Sequence, residues 1–191
     1  MPLFLKAAEQ GLADAQNDYA FQYFYGKDGI EADPEKAVPW LKKAADQGYK
    51  HSQTLLAEAY YKGKGVEQDY AEAFRQYQAP AAAGHPYAQY MLGTMYAGGL
   101  GTDRDNAQAA AWLDKAGPQG SRPAQQTLAG LYKDSLNDPA KALIWYEVYA
   151  GNKGVERPPQ IDELAAGLMP DLVAQARADA AAIRSALPAR R

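Results

Sequence analysis

Apolar and small residues recur along this chain with the spacing of amphipathic helices. Positions 88, 92, 93 and 96 are apolar or small and lie at i, i+4, i+5 and i+8, on one helical face. A second kind of helix is predicted in segments such as DPEKAVPWLKKAADQG, because Asp33 before Pro34 makes an acidic N-cap followed by proline in the first turn. The pattern therefore predicts a chain built from pairs of helices.

The helix pairs repeat at a fixed interval. Tyr60, Tyr96 and Tyr132 are each 36 residues apart. Tyr23 precedes Tyr60 by 37 residues, because the glycine turn at 26–29 carries one residue more than its later counterpart. A constant period in the range of about 20–50 residues indicates a solenoid of stacked units.

The glycine turns raise the question of a phosphate site, since a glycine-rich loop with a lysine can bind phosphate through backbone N–H groups. Such a loop leads from a strand into a helix and occurs once. Here GKDGI, GKGV and GGLGT occupy the same place between two helices. We interpret them as a C-cap glycine and a turn glycine above Ile30 or Val66, and leave open an anion contact at Lys62 and Lys64.

One longer pattern recurs, A-x-x-x-L-G-x-x-Y-x-x-G-x-G-V-x-x-D followed by A-x-x-W-x-x-K-A-A-x-x-G. It is fullest at residues 88–120, and it also fits 15–48, 52–84 and 124–150. This pattern resembles the Sel-1-like repeat of bacterial proteins, a relative of the tetratricopeptide repeat. The chain departs from it at Gln76, where the repeat usually has tryptophan.

The resemblance implies an all-α, right-handed αα superhelical solenoid of about four repeats with a C-terminal helical cap. The repeat array is expected over 1–157 and the capping helices over 158–191. Within the array, the expected units are a partial one at 1–11 and repeats at about 12–48, 49–84, 85–120 and 121–150. An amphipathic stripe in the tail fits a cap that hides the last repeat, formed by Leu172, Ala176, Ala180, Ile183 and Leu187.

The amino-acid composition argues against several classes of function. The chain has no cysteine, which excludes disulfides and thiolate metal sites, and its net charge of -3 argues against a nucleic-acid binder. No apolar run approaches the roughly 18–20 residues of a membrane span, and the N-terminus lacks the basic and apolar regions of a signal peptide. We expect no direct membrane insertion and a cytoplasmic or periplasmic location, and assign no oligomeric state.

Candidate chemistry is sparse. Only His51 and His85 could serve as catalytic or metal-binding imidazoles, and they lie at unrelated repeat positions. No paired histidines and no Ser-His-Asp order stand out. Trp40, Trp112 and Trp145 fall on packing positions and are predicted to be core. We therefore predict no catalytic residue, no cofactor and no metal, and a protein that is not an enzyme.

The remaining candidate is a binding surface. The resemblance implies that the first helix of each repeat lines a concave groove, and aromatic residues there are typical binding anchors. An alternative is that some of these rings pack between adjacent repeats. The predicted partner-binding residues are Asn17, Phe21, Phe24, Tyr25, His51, Thr54, Glu58, Tyr61, Tyr87, Tyr90 and Thr94.

Three functional hypotheses follow. The first is a non-catalytic protein–protein interaction module whose partner is a toxin or effector, or a signalling or envelope component. The second, from the resemblance, is a bacterial immunity protein that neutralises a secreted toxin such as a phospholipase effector. The third is a β-lactam-binding or hydrolysing relative, but such relatives carry paired cysteines, and this chain has neither cysteine nor an S-x-x-K frame.

Overall fold

The computed structural model describes residues 2–188, and their side chains from Leu5 onward. Over this range the chain forms eleven α-helices and one short 3₁₀ helix, with no β-strand. The prediction of an all-α solenoid of repeats is confirmed. Met1 of the expected first unit and residues 189–191 of the expected cap lie outside the described residues.

The helices fall into two compact units. Unit 1 holds the residues up to Ala83 together with Leu100–Thr102, and unit 2 holds Gly84–Gly99 and the residues from Asp103 onward.

Unit 1 contains five helices. Each first helix of a repeat packs on the second, α2 on α3 and α4 on α5, and α1 and α3 pack on the helices that follow them. Its main core joins the buried side chains of Phe24, Leu41 and Leu56, with Val66 packed against it as the turn interpretation predicts. The helices are α1 (Pro2–Glu9), α2 (Ala13–Tyr25), α3 (Pro34–Asp46), α4 (Lys50–Lys62) and α5 (Tyr70–Ala82).

Unit 2 contains the remaining six α-helices. The pairs α6–α7 and α8–α9 pack as in unit 1, and α10 and α11 both pack on α9. One continuous core includes Leu113, Leu128, Leu143, Trp145 and Ile161. The helices are α6 (Pro86–Gly98), α7 (Asn106–Ala116), α8 (Arg122–Asp134), α9 (Pro139–Ala150), α10 (Gln160–Gly167) and α11 (Pro170–Ala186), with a 3₁₀ helix at Gly117–Gln119.

Aspartates start the second helices. The side chain of Asp33 accepts a hydrogen bond from the Lys36 backbone N–H at 3.0 Å, and Asp69 does the same for Glu72 at 3.0 Å. Such a cap satisfies an N–H that has no partner within the helix. A glycine ends the first helix α4: Gly63 has a φ of 66° and its N–H donates to the Ala59 carbonyl, which confirms the C-cap interpretation of the first turn glycine.

The cap helix α11 lies on unit 2 through a stripe that differs from the prediction by one position. Ala176 and Ala180 are buried, and Val173 and Ile183 pack against the core. Leu172, predicted to begin the stripe, is 43% exposed. The prediction was wrong there because the line along which α11 meets α9 places Val173 inward instead.

Candidate functional site

Two rings of α2 and one imidazole of α4 form an aromatic cluster on unit 1. Phe21 and Tyr25 lie one helical turn apart, with ring centroids 5.0 Å apart in an edge-to-face arrangement. The imidazole of His51 lies 5.8 Å from the Phe21 ring. Tyr25 is 38% exposed, Phe21 is half-buried and His51 is exposed. Edge-to-face pairs of this kind hold each other in one orientation.

Glu58 of α4 fixes the position of Tyr25. Its carboxylate accepts hydrogen bonds from the Tyr25 hydroxyl at 3.1 Å and from the Lys62 ammonium at 2.6 Å. The side chain of Glu58 is only 12% exposed, so these partners offset the cost of removing its charge from water. The result is a polar link between the first helices of two consecutive repeats.

Both lysines beside the turn glycines are engaged within unit 1. Lys62 pairs with Glu58, and Lys64 donates to the Phe24 backbone carbonyl at 2.7 Å. The Lys64 ammonium also lies 4.2 Å from the centre of the Phe24 ring and 4.9 Å from that of Tyr25. A cation there satisfies a carbonyl at the end of α2 and interacts favourably with the helix dipole. The structure therefore favours the turn interpretation over an anion site.

These residues define what we call the α2–α4 surface. It consists of Phe21, Tyr25, His51, Glu58 and Lys62. The ammonium of Lys27 lies at its edge, 4.9 Å from the centre of the Phe21 ring. The surface thus presents aromatic rings flanked by the exposed side chains of Lys27 and Lys62.

Besides Glu58, three further residues predicted for partner binding are buried in unit 1. Phe24 is 0% exposed and belongs to the core. The Asn17 side-chain oxygen accepts from the Ser52 hydroxyl at 2.9 Å, and the Thr54 hydroxyl donates to the Lys50 carbonyl at 2.9 Å. Their prediction as contact residues is corrected, because α2 and α4 each pack against neighbouring helices and only a narrow strip of each stays open.

Tyr61 is half-buried and held by the turn that follows α4. Its ring lies 5.3 Å from that of Tyr70 in an edge-to-face arrangement. The Gln68 side-chain amide donates to the Tyr61 carbonyl at 2.8 Å and to the Tyr70 hydroxyl at 3.1 Å. Tyr61 is thus packed inside unit 1 on one side, as the alternative interpretation of these rings expects.

Unit 2 carries a smaller aromatic pair. Tyr87 is 36% exposed and Tyr90 is half-buried, with ring centroids 6.4 Å apart. The Thr94 hydroxyl donates to the carbonyls of Tyr90 at 3.1 Å and Met91 at 2.8 Å. The Thr94 hydroxyl is therefore engaged within α6, and Tyr90 also packs against the core of unit 2.

Sequence reasoning missed Lys62 as part of the site. Its spacing from Glu58 is i,i+4, a signal that identifies neighbours on a helix surface. The Tyr25–Glu58 contact has no such signal, since it joins two repeats.

No group of three or more histidine, aspartate or glutamate side chains that could hold a metal ion occurs within residues 2–188. None of the described helices combines the length and apolar character needed to cross a membrane.

The repeats match a known family. The family model described as Sel1 repeat matches residues 3–12, 13–49, 50–85, 86–121 and 128–148. The chain belongs to the Sel1 repeat family. The resemblance predicted from the sequence is thereby confirmed, and Sel1 repeats are protein-interaction modules whose solenoid is typically a non-catalytic scaffold.

Solved structures of this Sel1 repeat fold include two useful comparisons. A Sel1 repeat protein from Oxalobacter formigenes is 27% identical, with a TM-score of 0.69 over 91% of this chain and 74% of that one. Immunity protein Pa5087 from Pseudomonas aeruginosa is 23% identical, with a TM-score of 0.50 over 94% of this chain and 74% of that one. The second likeness concerns the fold alone.

A curated relative is similar over a shorter stretch. The ERAD-associated E3 ubiquitin-protein ligase component HRD3A of Arabidopsis thaliana is 38% identical over 56 residues, 29% of this chain. The match spans only 8% of the length of that relative.

Proposed function

We propose that this protein binds a partner protein through the α2–α4 surface and acts without catalysis. The observation that carries the proposal is the exposed Tyr25 ring, held by Glu58 and Phe21 in one orientation. A rigid aromatic ring loses little conformational entropy on binding, which is why such rings dominate interface energetics.

Charge at this surface indicates what the partner offers. Glu58 is satisfied internally by Tyr25 and Lys62, whereas the Lys27 side chain stays exposed at the edge of the surface. The complementary partner has an apolar or aromatic side chain next to carboxylates, since opposite charges at the rim of an interface steer association. Tyr87 and Tyr90 of unit 2 are proposed as a separate contact site of that unit.

Affinity capture from the source organism tests this proposal. Wild-type protein and a Phe21→Ser/Tyr25→Ser variant are used as baits in parallel, with Leu172→Ser as a matched control. Leu172 is 43% exposed, close to the exposed fraction of Tyr25, but lies on α11. The proposal expects a protein that the wild type and Leu172→Ser retain and the double variant loses. Equal capture by all three baits would contradict it.

Toxin neutralisation is a second candidate for the same surface. The observation in its favour is that the fold of this chain is also the fold of an immunity protein, with a TM-score of 0.50 over 94% of the chain. The partner would be a secreted toxin, such as a phospholipase effector, whose gene lies beside the gene for this protein. Purified protein is expected to inhibit that enzyme at a one-to-one ratio, and the Phe21→Ser/Tyr25→Ser variant to lose inhibition. Full inhibition by the variant would contradict this role for the surface.

A further inference from the structure

Gln76 stands at a repeat position that tryptophan occupies elsewhere in this chain. It follows Trp40 by 36 residues and precedes Trp112 by 36. On the first helix of the same repeat, Leu56 and Tyr60 follow Tyr19 and Tyr23 by 37 residues, so they are the corresponding positions. The second repeat therefore has the position of the tryptophan without the ring, and it has Leu56 where the first repeat has Tyr19.

The tryptophans show how this position is normally filled. In the first repeat the Trp40 ring meets the Tyr19 ring edge-to-face, with centroids 5.3 Å apart. The Lys43 ammonium lies 4.2 Å from the centre of the Trp40 ring, and in the third repeat Lys115 lies 4.1 Å from Trp112. In both cases an indole ring packs with an ammonium group on its face, an arrangement favoured by the ring quadrupole.

Gln76 does not fill the corresponding space. Its amide donates to the Glu72 carboxylate at 2.8 Å, one turn back on α5. A cleft of about 140 Å³ remains beside it, with Leu56 and Tyr60 in its wall. The other lining residues are charged: Lys42 and Asp46 from α3, and Glu72 and Arg75 from α5.

The cleft offers an apolar wall, formed by Leu56 and Tyr60, and charged groups to one aromatic ring. Here the Lys42 ammonium lies 5.6 Å from the centre of the Tyr60 ring, and Arg75 is fixed by two hydrogen bonds of 2.7 and 2.9 Å to Glu72. These cations complement the negative face of a ring, and the Asp46 and Glu72 carboxylates can accept from an indole N–H.

We propose that this cleft is a binding site for the indole ring of a tryptophan side chain presented by a partner protein. The incoming ring takes the place that the chain's own tryptophan takes in the other repeats. The site lies among α3, α4 and α5, and none of its residues belongs to the α2–α4 surface. It therefore extends the protein's binding capacity beyond the function proposed above.

Titration of isotope-labelled protein with N-acetyl-tryptophanamide, followed by nuclear magnetic resonance, tests the proposal. Saturable shift changes are expected at the Leu56 methyl groups and the Gln76 side-chain amide, with N-acetyl-alaninamide causing none. In Gln76→Trp the chain's own ring fills the cleft, so affinity is expected to fall at least tenfold. Gln76→Phe serves as a second blocking variant if circular dichroism shows that Gln76→Trp does not fold.

Two results would overturn the proposal. One is the absence of saturable shift changes at Leu56 and Gln76 in the wild type. The other is unchanged affinity in a folded blocking variant, which would place the bound ring elsewhere on the protein. Loss of partner capture by the Phe21→Ser/Tyr25→Ser variant does not bear on this site, so the two proposals fail independently.

Discussion

The second glycine of the turn after α4 lies against the start of α3: a Cβ on Gly65 would be 2.5 Å from the carbonyl carbon and oxygen of Pro34. Gly65 also has a φ of 76°, a conformation that favours glycine. The turn of one repeat therefore contacts the second helix of the preceding repeat, backbone to backbone. This contact explains the second glycine of GKG by packing. The GKG segment is similar to a phosphate-binding loop in sequence only.

Gly65→Ala is expected to lower the free energy of unfolding by about 2–5 kcal/mol. About 1–2 kcal/mol comes from placing a Cβ at positive φ, and the rest from the backbone shift needed to relieve the clash with Pro34. Urea denaturation measures the change. Gly29→Ala is the matched control, since Gly29 holds the same turn position at a φ of 79° with nothing within 4 Å of its would-be Cβ. Equal losses in the two variants would contradict the contact.

The Tyr132–Asp114 hydrogen bond predicts a pH dependence for unit 2. The Tyr132 hydroxyl donates to the Asp114 carboxylate at 2.8 Å. Burial, together with this bond, raises the pKa of Tyr132 well above its ordinary value of 10.0. A raised pKa in the folded state means that stability is fully present below about pH 10 and is lost as the pH rises further. Burial also raises the pKa of Asp114, so the pair is poorly suited to holding two negative charges.

Tyr132→Phe tests this dependence. The variant is expected to be less stable than wild type at pH 8 by about 1–3 kcal/mol, because the half-buried Asp114 carboxylate loses its donor. Between pH 8 and pH 11 it is expected to lose less stability than wild type, since one group that resists ionisation is gone. Urea midpoints at both pH values measure the two effects. Parallel curves for the two proteins would show that Tyr132 does not titrate with unfolding.

Glu147 holds the cap helix in unit 2. This buried carboxylate of α9 accepts from Arg177 of α11 at 3.2 Å, and Arg157 lies 3.5 Å away. Glu147→Gln is expected to cost about 1–3 kcal/mol and to speed amide hydrogen exchange in α11. Glu163→Gln is the control. The Glu163 carboxylate lies 3.0 Å from the Lys133 ammonium, but the Glu163 side chain is 67% exposed, so this ion pair is worth about 0–1 kcal/mol. Equal exchange rates in α11 for the two variants would exclude this role for Glu147.

The sequence predicts the repeats well because their signals are local. The aspartate caps and the C-cap glycine each depend on residues a few positions apart, and the structure confirms them. The tyrosine period repeats this local pattern along the chain, and the family match confirms the repeats. The width of the open strip on α2 depends instead on where two other helices touch it. This is why Phe24 and Asn17 were predicted as contact residues and are buried.

Contacts between repeats could not be predicted from the sequence for the same reason. The Tyr25–Glu58 bond spans 33 residues and depends on how α2 and α4 lie side by side. The exposure of Leu172 and the inward position of Val173 depend on the rotation of α11 about its axis. The cleft beside Gln76 could be predicted in part. The sequence shows that Gln76 departs from the repeat pattern, but only the structure shows the volume of the cleft.

The measurement that tests the central claim most directly is the dissociation constant of the captured partner, obtained by calorimetry for wild type, Tyr25→Ala, Phe21→Ala and Leu172→Ala. The account predicts at least tenfold weaker binding, about 1.4 kcal/mol, for each of the two ring deletions and no change for Leu172→Ala. Circular dichroism checks that the variants are folded. Equal dissociation constants for all four proteins would contradict the assignment of the α2–α4 surface as the binding site.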